Sequence, residues 1–130
     1  MITSLKQIHE LITACKDQKV GEAEKSKRFR QFLEADRFLE SRLAEGGAGD
    51  EIKVLHAKMA SLMQDWDQAV LRWVRVQKEV PDSRDRAFLN LSIAYRNTGS
   101  YGRARAALKK IKDGKVRKPA IRAEYKKIKA

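Results

Sequence analysis

Two stretches of the chain repeat each other at a spacing of 35 residues. In residues 50–84, Lys53, His56, Ala57 and Ala60 precede Trp66, Ala69, Trp73 and Val76. Shifted by 35, these positions become Phe88, Leu91, Ser92 and Tyr95, then Tyr101, Ala104, Leu108 and Ile111. Small residues fall on small ones, and most large apolar residues on large ones. Self-similarity at this period is the signature of a helical repeat array, in which each repeat is one helix pair that buries its apolar side only by stacking on a neighbour. Arrays of this kind mostly bind other molecules, so the expected function is recognition rather than catalysis.

The second copy resembles the tetratricopeptide repeat family. That family's 34-residue pattern runs from a bulky residue through Leu-Gly, Tyr, Ala and an aromatic to a closing Pro. Phe88, Leu91, Ser92, Tyr95, Gly99, Tyr101, Ala104 and Leu108 stand at matching places, with Ser92 for the Gly. The first copy keeps Ala57, Trp66, Ala69, Trp73 and Pro81, and departs at Lys53, His56, Ala60 and Gln64, the last standing where a turn Gly is expected. The resemblance covers residues 50–117. It implies an all-α fold, a right-handed superhelical array of antiparallel helix pairs (an α-solenoid).

The expected organisation is one helical-repeat domain over 1–130. Residues 1–45 form an N-terminal hairpin or eroded repeat, 50–84 and 85–117 the two repeats, and 118–130 a basic capping helix. Apolar residues at helical spacing support this: Leu5, Ile8, Leu11, Ile12 and Cys15 in a first helix over 4–16, and Phe29, Phe32, Leu33, Ala35, Phe38, Leu39 and Leu43 in a second. Gly46, Gly47 and Gly49 stop it. Four further helices are expected over 50–63, 66–79, 83–97 and 101–112, with Asp65 and Ser100 as N-caps and Pro81 and Gly99 as breaks. Pro119 suits the first turn of a last helix over 119–129. Cys15 has no partner for a disulfide and reads as a buried free thiol. The N-terminus lacks a signal-peptide core, and no window is apolar for long enough to cross a membrane, so the expected location is cytoplasmic.

Catalytic and metal-binding signals are absent. His9-Glu10 opens like a zinc-protease helix but lacks the second His, and His56 stands at a packing place. The glycine run lacks the Lys-Ser or Lys-Thr of a phosphate-binding loop. No enzyme activity, cofactor or metal is expected.

Two binding surfaces are expected instead. The resemblance implies that the first helix of each pair lines a concave face. Helical spacing then points Val54 and Lys58, with Glu51, Ser61 and Leu62, into it from the first repeat, and Arg86, Leu89, Ile93, Arg96 and Asn97 from the second. Such a groove suits a peptide or partner protein with apolar anchors and acidic segments, because Arg holds a carboxylate by two bonds.

The second surface is electrostatic. The chain carries 29 Lys and Arg against 17 Asp and Glu, a formal charge of +12. Almost all of that excess lies after residue 100, in Arg103, Arg105, Lys109, Lys110, Lys112, Lys115, Arg117, Lys118, Arg122, Lys126, Lys127 and Lys129. This end attracts acidic proteins and, weakly and without sequence preference, nucleic acid. Only Tyr101 and Tyr125 offer rings for base stacking there, and Tyr101 is expected to be spent on packing.

Overall fold

The computed structural model describes residues 2–15, 22–46, 49–112, 116 and 118–128, with the side chains of 22–26 left aside. Among the described residues all regular structure is helical: α1 (Leu5–Ala14), α2 (Glu22–Ala44), α3 (Asp50–Leu62), α4 (Trp66–Glu79), α5 (Arg84–Asn97), α6 (Tyr101–Lys109) and α7 (Lys118–Lys127), with a 3-10 turn over Pro81–Ser83. The chain divides into two compact units, Met1–Ala48 and Gly49–Ala130.

In the first unit, α1 starts at a capping box. The Gln7 N–H donates to the Ser4 hydroxyl, and the Ser4 N–H donates back to the Gln7 side chain at 3.2 Å. Ile8 and Leu11 are buried, as are Phe32, Ala35 and Leu39 on α2. Cys15 closes α1 half-buried, more exposed than its place in the apolar stripe suggests, because the helix ends at Ala14 and its apolar stripe ends with it.

In the second unit each helix packs on the next: α3 on α4, α4 on α5, α5 on α6, with α7 against α5 and α6. The contacts between α3 and α4 and between α4 and α5 share one core. Ala57, Ala60, Ala69 and Ala87 are fully buried where backbones come close, and Trp73, Val76, Phe88 and Leu91 fill the space between. The small residues matter as much as the large ones, since any added methylene at a close-packed contact must displace a neighbour. Trp73 is fully buried, and its indole N–H donates to the Ser61 hydroxyl at 2.9 Å, which satisfies the one polar atom the ring brings into the core.

The 35-residue period extends to the backbone. After α3, the Gln64 N–H donates to the Ser61 carbonyl and the Asp65 N–H to the Ala60 carbonyl, at 3.0 Å each. After α5, Gly99 donates to Arg96 at 3.1 Å and Ser100 to Tyr95 at 2.8 Å, the same pair of bonds 35 positions on. These are Schellman closures, and each needs one residue in the left-handed region. Gly99 adopts it at φ 82° and Gln64 at φ 56°. A side chain there costs roughly 1–2 kcal/mol, which glycine avoids. Gln64→Gly is therefore expected to stabilise the second unit by about 0.5–1 kcal/mol, after the glycine's extra freedom in the unfolded chain is subtracted. In thermal denaturation that is a rise of a few degrees, whereas Gly99→Gln should fall by a similar amount. A drop in melting temperature for Gln64→Gly would contradict the strain.

Two departures from the repeat have local reasons. Lys53 replaces the bulky residue found at Phe88, and its ammonium lies 3.0 Å from the Glu79 carboxylate at the far end of α4. The Lys53 bond, helped by Arg75 one turn before Glu79, holds that carboxyl below the usual carboxylate range. A polar tie thus joins α3 to α4 where the second repeat uses an apolar ring. Ser100, expected to cap α6, makes no side-chain cap bond, although the Gln68 N–H does donate to Asp65 at the head of α4. The serine hydroxyl is one atom shorter than the aspartate carboxylate, and the backbone is turned similarly at both places, ψ 65° and 80°.

Candidate functional site

The residues expected on the recognition face sit on α3 and α5, which both pack on α4 and leave their remaining sides outside the shared core. On α3, Val54 is half-buried against that core and Lys58 is half-buried. On α5, Arg86 and Asn97 are exposed and Ile93 is half-buried. Asn97 turns its amide back onto its own helix, donating to the Ile93 carbonyl at 2.8 Å, and Asn90 does the same to Arg86 at 2.9 Å. Arg86, Ile93 and Asn97 therefore form a continuous strip along α5, spaced one or two turns apart.

Leu89 and Arg96 are covered from within the chain. Leu89 packs in a small cluster with Ala104, Leu108, Ile121 and Ile128, where α7 meets α5 and α6. Arg96 presents two guanidinium nitrogens to the carboxylate of Glu124 on α7, Nε to Oε2 at 3.0 Å and Nη2 to Oε1 at 3.4 Å. The Glu124 side chain is only 6% exposed, so this is a fork-shaped, charge-assisted pair in a largely dry place. Lys127 adds a more distant, exposed contact at 3.6 Å. Ser61, read as facing the groove, instead faces α4, since its hydroxyl accepts the Trp73 indole N–H.

Sequence reasoning missed Glu124 as the partner of Arg96. A faint signal was there: Glu124 is the only acid in a run of bases after residue 113, and an isolated acid in such a run is best placed where a specific cation meets it.

The basic end is laid out on α6 and α7. Lys109, Lys110, Lys112, Lys118, Arg122, Lys126 and Lys127 are all exposed. Lys115, Arg117 and Lys129 lie outside the described residues. Tyr101 corrects the sequence reading. It opens α6 with its ring 42% exposed rather than spent on packing, because a residue at the first turn of a short helix has solvent on its outer side. Tyr125 is 37% exposed. Two open rings thus stand among the bases.

Comparison of the chain with protein-family models, with curated proteins and with solved structures gives no match.

Proposed function

We propose that the protein is a protein-interaction module, an adaptor, scaffold or chaperone-like element, whose helix pairs continue into a right-handed tetratricopeptide-like superhelix. Its recognition face is built by α3 and α5 and takes an acidic partner segment with apolar anchors. The observation that supports this reading is the repeated closure after α3 and α5, the same bonds at the same 35-residue offset, with both helices packed on α4. Arg86, Ile93 and Asn97 offer one cation, one apolar patch and one amide along a strip. Lys58 adds charge from α3. Leu89 and Arg96 belong to the support of this face, through α7, rather than to the face itself.

The test uses a displayed peptide library and the full chain. Peptides selected by the wild-type protein should lose at least tenfold in affinity with Lys58→Glu and Arg86→Glu together, while circular dichroism stays unchanged. Selection of peptides indifferent to that double reversal would remove α3 and α5 as the binding face.

The two open tyrosine rings favour a second reading, binding of single-stranded nucleic acid by the basic end, where phosphates meet lysines and bases stack on Tyr101 and Tyr125. It is separated from the first by Tyr101→Ala with Tyr125→Ala, which weakens nucleic-acid binding only if stacking contributes.

A further inference from the structure

A second groove lies on another side of α5, about a third of a turn round the helix from the side that α7 covers. Its floor is Phe88, Leu91 and Tyr95 of α5, an apolar stripe at three- and four-residue spacing. One wall is Val74 and Gln77 of α4, continued by Pro81. The other is Arg103, Ala106, Ala107 and Lys110 of α6. The two alanines keep that wall low. The groove holds two adjoining cavities of 430 and 280 Å³, which share Gln77, Phe88 and Lys110.

Its charge is one-sided. Arg84 and Lys112 stand at one end, Lys110 in the middle and Arg103 at the other end, all exposed. Among the described residues no carboxylate is paired with any of these four, whereas Lys53, Arg75, Arg96 and Lys127 all are. Among the described residues the only acid in the lining is Asp85, which is buried and accepts the Lys112 backbone N–H at 3.3 Å.

We infer that this groove between α4 and α6 binds a short, extended, acidic segment of a partner protein, with one apolar side chain seated beside Ala106 against Val74 and Leu91 and carboxylates held by Arg84, Lys110 and Arg103. The length fits. The ten steps along α5 from Asp85 to Tyr95 advance about 15 Å, the span of four or five extended residues. The floor disfavours a nucleobase. Phe88 is only 8% exposed, and the Lys110 ammonium sits over its ring at 5.7 Å, so this ring offers no open face for stacking. None of the residues involved belongs to the α3 and α5 face proposed above, so the two sites stand or fall separately.

The test titrates fluorescein-labelled pentapeptides Glu-Asp-Xaa-Asp-Glu, with Xaa as Leu, Phe or Ser, into the full chain at about 50 mM salt, where charge contacts are least screened. The Leu and Phe peptides should bind about tenfold tighter than the Ser peptide, the difference expected for burying one apolar side chain. Ala106→Leu raises the low wall without touching charge and should cut affinity about tenfold. Arg103→Glu with Lys110→Glu should abolish binding. Lys58→Glu with Arg86→Glu should leave it unchanged. Absence of binding by all three peptides overturns the inference, as does equal affinity for the Ser peptide or full binding by Ala106→Leu. Loss on Lys58→Glu with Arg86→Glu alone would move these peptides to the α3 and α5 face and overturn the inference while supporting the other site. Displacement by oligothymidylate of equal charge, with loss on Arg103→Glu and Lys110→Glu, would make the groove a nucleic-acid site instead.

Discussion

Ala69→Arg is expected to unfold the second unit at ordinary temperatures. Ala69 is fully buried in the shared core, with Ala57, Ala60 and Trp73 in the same cluster. An arginine there overfills a close helix contact and brings a charge with no partner, and each of these costs about 1–3 kcal/mol or more. Together they use up much of the roughly 5 kcal/mol that a unit of this size has to spare. Leu71→Arg, two positions on at a residue 63% exposed, is the matched control and should change stability by less than about 0.5 kcal/mol. Thermal melts followed by circular dichroism compare the two. If Ala69→Arg melts within a few degrees of the parent, the repeat register on which the fold reading rests is wrong.

Arg96→Ala should act differently, by releasing one helix rather than the whole unit. Removing the guanidinium leaves the Glu124 carboxylate in a site 6% open to water, where among the described residues the exposed Lys127 is the other cation paired with it. Breaking a buried pair from one side typically costs about 3–5 kcal/mol. Because Arg96 keeps 23% of its side chain exposed and Lys127 remains, roughly 2–3 kcal/mol is expected here. The apolar contact that holds α7 is small, Ile121 and Ile128 on Leu89, Ala104 and Leu108. Amide exchange in α7 should therefore quicken about 30- to 100-fold, while exchange in α4 stays close to the parent. Replacing Arg96 and Glu124 together by leucine should restore α7, since an apolar pair of similar volume avoids the stranded charge. Uniform quickening across α3 to α6 would mean that α7 is not a separable element.

What could be read from the sequence divides along a physical line. Positions set by local backbone rules or by repetition were legible. Asp65 as a cap, Pro81 as a stop and Gly99 as a left-handed turn each follow from one residue's own chemistry. Ala69, Trp73, Ala104 and Leu108 follow from their recurrence after 35 residues, and all four are buried. What was not legible depends on which distant side chain arrives opposite. Ser61 looks like a groove residue until the Trp73 indole N–H finds it from twelve positions away. Arg96 looks like a ligand-binding cation until Glu124 meets it from twenty-eight away. Lys53 looks like an error in the pattern until Glu79 closes on it. Tyr101 was misjudged for a simpler reason: the repeat assigns it a packing place, but at the end of a short helix it is left 42% exposed. The α4 and α6 groove was hidden for a related cause: the repeat marks residues such as Trp73 and Leu108, while the groove walls are lined by the residues between them, such as Val74, Gln77, Arg103 and Ala106.

The order of contacts in the second unit has a kinetic meaning. Each helix touches the one before and the one after it, and α7 is the only late arrival. A chain built from neighbours in sequence closes only short loops as it folds, so it forms quickly and can begin from its middle, where Trp73 and Phe88 meet. It also has few ties between its ends, and can fray from either one. A partner bound across α3 and α5, or between α4 and α6, would add to the connection between non-adjacent helices that α7 makes with α5. Binding and mechanical bracing would then be the same event.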